Sequence, residues 1–158
     1  MSFEIRFAKN EEVSDILNFI KELARYENME DEVVATEELL TKWIFEEKKA
    51  NVVFGIEDGK KIGFALYFTN FSTFLGRPGL YLEDLFVLPE YRGKGYGKAI
   101  LKHLAKFAYE SGFGRMEWAC LNWNKPSIDF YLKMGAKRME EWNIYRLQDE
   151  SLKNIQDK

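Results

Sequence analysis

Tyr81-Leu82-Glu83-Asp84-Leu85-Phe86-Val87, followed after Leu88-Pro89-Glu90 by Tyr91-Arg92-Gly93-Lys94-Gly95-Tyr96-Gly97-Lys98, is the stretch on which the fold turns. It reads as an apolar strand and a glycine-rich loop, and the spacing of Ala99, Ile100, Leu104, Phe107 and Ala108 then predicts a helix, with Gly112 past its end. Glycines here allow positive φ and let a ligand come close to the main chain. The N–H groups ahead of the helix favour an anion. These residues predict a diphosphate cradle. A dinucleotide fingerprint requires another glycine spacing, and a phosphate loop requires Ser or Thr after Gly-Lys, where this chain has Ala99. A glycine-rich turn without a ligand stays open on these residues alone.

Working outward, residues 3–7 alternate as a half-buried strand does, and Asn10 with Glu11 and Glu12 predicts the start of a helix. Val13, Ile16, Leu17, Ile20, Leu23 and Ala24 give that helix one apolar face, running to about Tyr26. An acidic loop follows at 27–32, and Thr36 caps a second helix through Leu39, Leu40, Trp43 and Ile44. Residues 52–56 and 62–71 read as strands around an Asp58-Gly59 hairpin turn, and 76–79 as a Gly/Pro loop. Downstream, 116–119 reads as a strand, 124–134 as a helix between Asn124 and Gly135, and 138–147 as a strand. The tail after Ser151 is a helical turn or frayed. The pattern predicts one mixed α/β domain over 1–158, and its central hairpin a mixed sheet.

With 158 residues, 46% hydrophobic and 16% aromatic, the chain can build one core without staples. A net charge of −3 makes nucleic acid a poor partner and suits a cationic substrate. One Cys (Cys120) and one His (His103) exclude a disulfide framework and a Cys/His zinc site. We expect Cys120 to be a buried structural thiol and His103 a surface residue. The start Met1-Ser2-Phe3 has no signal-peptide character, and no apolar run approaches the roughly 20 residues of a membrane span. The expectation is a cytoplasmic protein with no metal, membrane or nucleic-acid partner.

A second motif is Asn124-Lys125-Pro126-Ser127-Ile128-Asp129-Phe130-Tyr131-Leu132-Lys133-Met134-Gly135-Ala136. Taken with the glycine loop, it resembles the GNAT superfamily of N-acetyltransferases over nearly the whole chain. Residues 20–27, 81–87 and 123–127 look like the spermidine/spermine and thialysine acetyltransferase branch.

The resemblance implies a mostly antiparallel mixed sheet flanked by helices, with strands splayed at a central bulge. It implies acetyl-CoA as co-substrate, its pyrophosphate held by Arg92, Gly93, Lys94, Gly95, Tyr96, Gly97 and Lys98. The pantetheine arm would pair with Leu85, Phe86 and Val87, and Asn124, Lys125, Pro126 and Ser127 would border the cofactor. Tyr131 matches the family's general acid; by itself it also reads as a core tyrosine. Glu83 matches the group that, through water, deprotonates the attacking ammonium. That is useful because an alkylamine of pKa about 10.4 is handicapped by roughly 4.6 kcal/mol at neutral pH. Without the resemblance, Glu83 and Asp84 read equally as a solvated acidic pair. Tyr26, Glu27, Asp84, Glu117, Trp118 and Ala119, with Glu83, match substrate-side positions. The implied reaction is direct acetyl transfer to a primary amine of a polyamine, diamine or lysine-like molecule, by a homodimer. Alternatives are an acyl-CoA-binding module and an acetyltransferase of protein amines or aminoglycosides. Met134 stands where the branch has a basic residue, so the identity of the amine stays open.

Overall fold

The computed structural model describes residues 2–158; Met1 lies outside them. The chain divides into two compact units, one ending at Ala119 and one running Cys120–Lys158. In chain order the first contains β1 (Phe3–Phe7), α1 (Val13–Tyr26), α2 (Glu37–Leu40), β2 (Asn51–Glu57), β3 (Lys60–Ser72), β4 (Arg77–Val87), α3 (Tyr96–Glu110) and β5 (Arg115–Trp118). Thr36 caps α2 by accepting from the Leu39 amide at 3.1 Å, and the helix widens into a π turn at Thr41–Glu46.

The five strands form one sheet in the order β1-β2-β3-β4-β5, antiparallel except for β5, which lies parallel to β4. Local chemistry dictates this. Asp58 and Gly59 take φ of +48° and +84°, the left-handed pair that a two-residue hairpin requires. Between β4 and β5 the chain crosses over through α3, which permits parallel pairing. On one face of the sheet Ile16 and Phe19 of α1 pack on Phe54, Phe64 and Phe86, with the Phe19 and Phe64 rings stacked at 5.3 Å. On the other face Phe107 of α3 meets Tyr67 at 6.3 Å.

One irregularity in β4 sets up the site. Tyr67 pairs with Leu82 and Leu66 with Asp84, so Glu83 is an extra residue, a β-bulge. Neighbours on a strand face opposite sides, so Leu66 and Tyr67 do, and therefore Leu82 and Asp84 do as well. Without the bulge, Leu82 and Asp84 would share a face. Asp84 and Phe86 are thereby turned toward α1. β5 pairs only with Gly79–Leu82, so from Glu83 to Val87 β4 has a sheet neighbour on the β3 side alone.

Several sequence-based boundaries shift. Asn10 opens a short 3-10 turn, and α1 begins at Val13. The terminus is organised by Glu12 instead, whose carboxylate accepts the Lys9 amide at 2.9 Å, both Arg6 nitrogens at 2.9 and 2.8 Å, and pairs with Lys61 at 2.8 Å. Residues 77–79, expected in a loop, already belong to β4: Pro78 needs only its carbonyl, which accepts from the Gly114 amide at 2.9 Å. The strand expected at 116–119 lies at Arg115–Trp118.

In the second unit, Asn124 and Gly135 bracket α4 (Lys125–Lys133) as expected; Asn124 Oδ1 accepts the Ser127 amide at 3.4 Å and Gly135 has φ of +94°. The tail forms α5 (Glu150–Asn154) and a 3-10 turn. Residues 138–147, expected as a strand, are not one. Trp142, Ile144 and Tyr145 are all exposed, and alternating apolar residues make a strand only where a neighbouring edge supplies the ladder.

Arg6 and Lys61 hold the buried Glu12 carboxyl far below the usual carboxylate range. A depressed carboxyl contributes stability above its unfolded pKa and loses it as pH falls. Glu12→Gln is therefore expected to destabilise the fold by about 2–3 kcal/mol near neutrality, with the deficit narrowing below about pH 4, as read by urea unfolding.

Candidate active site

The glycine-rich loop enters α3 through two left-handed residues, Gly93 (φ +80°) and Gly95 (φ +84°). Gly95 is the N-cap and brings no side-chain cap; its carbonyl accepts the Ala99 amide at 3.0 Å. The amides of Tyr96, Gly97 and Lys98 thus head a helix that offers them no internal acceptor. A Cβ at Gly93 or Gly95 would meet nothing within 4 Å, so glycine serves the backbone angle there and the space over the loop is open. Gly97 has no positive φ; at that position the backbone does not require glycine. Arg92, Lys94 and Lys98 are exposed around this opening. Open space, free-facing amides and three cations fit a diphosphate.

Both ends of the loop are tied down. Arg92 Nε donates to the Val87 carbonyl at 2.9 Å, and its guanidinium lies 4.9 Å from the Tyr26 ring and 5.0 Å from the Phe86 ring. At the other end the Tyr96 hydroxyl donates to Glu57, and Lys94 Nζ lies 3.6 Å from the same carboxylate. That hydrogen bond, followed by burial, pushes the Tyr96 phenol up to about 12.

The unpaired part of β4 points alternate peptide groups outward. Leu88 donates to the Ile62 carbonyl at 2.8 Å, so by antiparallel alternation the main-chain groups of Phe86 face β3, and those of Leu85 and Val87 face away from it. Of the three residues expected to pair with the cofactor arm, Leu85 and Val87 have that orientation. Phe86 does not: its main chain serves the sheet, and its side chain the core under α1.

Beside this edge the structure gathers four of the expected substrate-side residues. The Tyr26 ring at the end of α1 lies 6.4 Å from Phe86. Burial, and then the neighbouring Glu83, push the Glu27 carboxyl up. Asp84 is pushed up to about 7, mainly by burial and further by Glu83 and Glu27. Glu83 itself is exposed on the bulge. Glu117 is not drawn into this cluster; it pairs with Arg115 at 3.1 Å on β5, where Trp118 stands opposite Leu82 and Ala119 follows the strand.

The remaining expected residues belong to the second unit. Lys125 pairs with Asp129 at 3.0 Å, Pro126 lies in the first turn of α4, and Ser127 gives its amide to Asn124. Tyr131 follows on the same helix with its ring 5.6 Å from that of Phe130. Cys120, expected to be buried, is partly exposed, its thiol 3.6 Å from the Leu121 carbonyl; His103 is on the surface as expected. Glu57 escaped the sequence reading, since one acid before a hairpin turn carries no distinguishing signal.

The model of the acetyltransferase (GNAT) family matches residues 13–136. The chain belongs to that family. This GNAT chain is 35% identical to a thialysine N-epsilon-acetyltransferase of Bos taurus, covering 98% of this chain and 97% of that one. It is 44% identical to an L-ornithine N5-acetyltransferase of Arabidopsis thaliana over 59% of this chain and 41% of the relative. Among solved structures, an integron cassette protein from the mobile metagenome of V. cholerae superimposes with a TM-score of 0.83 at 29% identity, covering 100% of this chain and 99% of that one. Family and relatives together make this GNAT chain an acyltransferase.

A carboxyl raised by burial makes the unfolded chain the stronger acid, so stability falls as pH rises above the unfolded pKa of about 4 and levels off above about 7. Asp84→Asn should therefore gain on the wild type by on the order of 2–4 kcal/mol between about pH 5 and pH 8, measured as unfolding free energy at each pH.

Proposed function

We propose that this GNAT acyltransferase moves the acetyl group of acetyl-CoA to the terminal primary amine of a small cationic molecule of the lysine, diamine or polyamine type. The observation that carries this reading is the convergence of Glu27, Glu83 and Asp84 beside the outward-facing edge of β4, at the foot of the glycine loop. Two carboxyls raised by burial and then by acidic neighbours, with the exposed Glu83 beside them, suit a positive charge. The thialysine and ornithine acetyltransferases among the relatives act, by their names, on amines of this class.

When bound, acetyl-CoA would supply an activated acetyl thioester. The amides of residues 92–98 would hold its diphosphate, and Leu85 and Val87 its pantetheine arm by added-strand hydrogen bonds. Arg92, which already holds Val87 and covers Tyr26, links the two halves of the site. Glu27 and Asp84 hold the ammonium, with Tyr26 offering an aromatic face. Glu83, solvated on its bulge, takes the amine's proton through water. Tyr131 hands its phenolic proton to the departing thiolate. Asn124, Lys125, Pro126 and Ser127 border the cofactor, and Glu117, Trp118 and Ala119 the acceptor groove. The resemblance to the polyamine branch supports these placements, action of residues 1–158 as one domain, and a cytoplasmic homodimer.

Incubation with acetyl-CoA and a mixed pool of amines, followed by mass spectrometry, tests the reading. Acetylated lysine-like, diamine or polyamine products are expected; acetylation only of proteins or aminoglycosides would replace the substrate assignment, and coenzyme A binding without thiol release would point to a sensor. Tyr131→Phe should lower kcat on the order of ten- to a thousand-fold while leaving coenzyme A affinity nearly unchanged by calorimetry. Binding of a cation that ionises Asp84 releases a proton below about pH 7. The affinity for a non-acetylatable quaternary diamine should accordingly rise with pH, by up to about tenfold per unit, and level off above the Asp84 pKa. In Asp84→Asn that slope should flatten.

A further inference from the structure

Glu57 is the last residue of β2, and at 7% exposure it is one of the few charged side chains withdrawn from water. A buried carboxylate is a poor device for stability, since an apolar side chain of similar size serves as well; its better-attested use is to fix one arrangement. The groups facing Glu57 show which arrangement. Its carboxylate accepts from the Tyr96 hydroxyl and lies 3.6 Å from Lys94 Nζ. These two residues flank Gly95, the left-handed N-cap of α3. The Tyr96 ring is held from the other side by Phe3, stacked at 4.3 Å with 12° between planes. Lys94 and Lys60 both lie over the Tyr91 ring, at 5.2 and 5.3 Å.

The loop between these anchors has little to hold it. Gly93 and Gly95 have open space where a side chain would be, and a glycine-rich backbone has many conformations to lose. Its shape is set from its two ends, by Arg92 on the Val87 carbonyl and by Tyr96 and Lys94 on Glu57.

We propose that Glu57 is a positioning residue for the cofactor: it acts through Tyr96 and Lys94 to hold the 93–98 amides in the arrangement that receives the diphosphate of coenzyme A. This rests on the assignment of that loop to acetyl-CoA. The β2–β3 hairpin end, remote in sequence from the loop, thus becomes part of what determines cofactor affinity.

The test uses the full chain with Glu57→Ala, Glu57→Gln, Tyr96→Phe and the Glu57→Ala/Tyr96→Phe double variant. Coenzyme A affinity is read by calorimetry, KM for acetyl-CoA and for the amine by steady-state kinetics, and folding by thermal unfolding. Glu57→Ala and Tyr96→Phe should each weaken coenzyme A by about tenfold, and the double variant by no more than Glu57→Ala alone, because both break the Tyr96–Glu57 hydrogen bond. Glu57→Gln, which keeps an acceptor for Tyr96, should recover most of the affinity. KM for acetyl-CoA should rise in step, and KM for the amine by less than about twofold. Unchanged coenzyme A affinity in folded Tyr96→Phe would overturn the proposal even where Glu57→Ala does not fold. Additive losses, or equal rises in both KM values alongside a lowered melting temperature, would reduce Glu57 to a stabilising residue and overturn it too. A wild-type chain that binds no coenzyme A would instead remove the assignment of the loop, a failure seen before any variant is compared.

Discussion

The site depends on one inserted residue. Glu83 interrupts the pairing of β3 with β4, and because side chains alternate along a strand, a one-residue insertion reverses which face everything beyond it occupies. Leu80 and Leu82, before it, are buried core residues of the strand; Asp84 and Phe86, after it, are turned toward α1. The same point marks the end of pairing with β5, so the strand acquires an edge with the main-chain groups of Leu85 and Val87 directed away from β3. A regular β4 would not turn the half-buried Asp84 toward α1.

Around that bulge acidic side chains lie near one another. Burial, and then the neighbouring Glu83, raise the Glu27 carboxyl; burial, and then Glu83 and Glu27, raise Asp84 to about 7. Such a cluster lowers stability near neutral pH, and a cation entering it would restore the loss. Glu12 is the contrast within the same unit. It is buried, but Arg6, Lys61 and the Lys9 amide satisfy it, and its acidity moves in the opposite direction. Glu12 and Asp84 shift in opposite directions because Glu12 has its cations built in.

Much of this was legible beforehand because the signals were local. Asp58-Gly59 announces a tight hairpin, Thr36 and Asn124 announce caps, and Gly112 and Gly135 announce helix ends, each through a backbone requirement few residues satisfy. Tyr26, Glu27, Glu83 and Asp84 were nominated together through a family resemblance, and the fold brings them side by side. What went astray involved partners distant in the chain. Residues 138–147 read as a strand, but a strand exists only where another edge accepts its hydrogen bonds. Pro78 suggested a loop, though it sits in β4 where only its carbonyl is needed.

By itself, the sequence determined the order and kind of the elements, the left-handed turns at Gly93 and Gly95, and membership of a family whose motifs are short and contiguous. Tertiary structure alone decided that Glu83 is the bulge, that Asp84 is therefore half-buried near Glu27, that Phe86 serves the core while the main-chain groups of its neighbours face outward, and that Glu57 reaches the glycine loop. The reason is physical: backbone angles and helix caps are properties of a few adjacent residues, whereas strand register, burial and carboxylate acidity depend on which distant segments come to lie alongside.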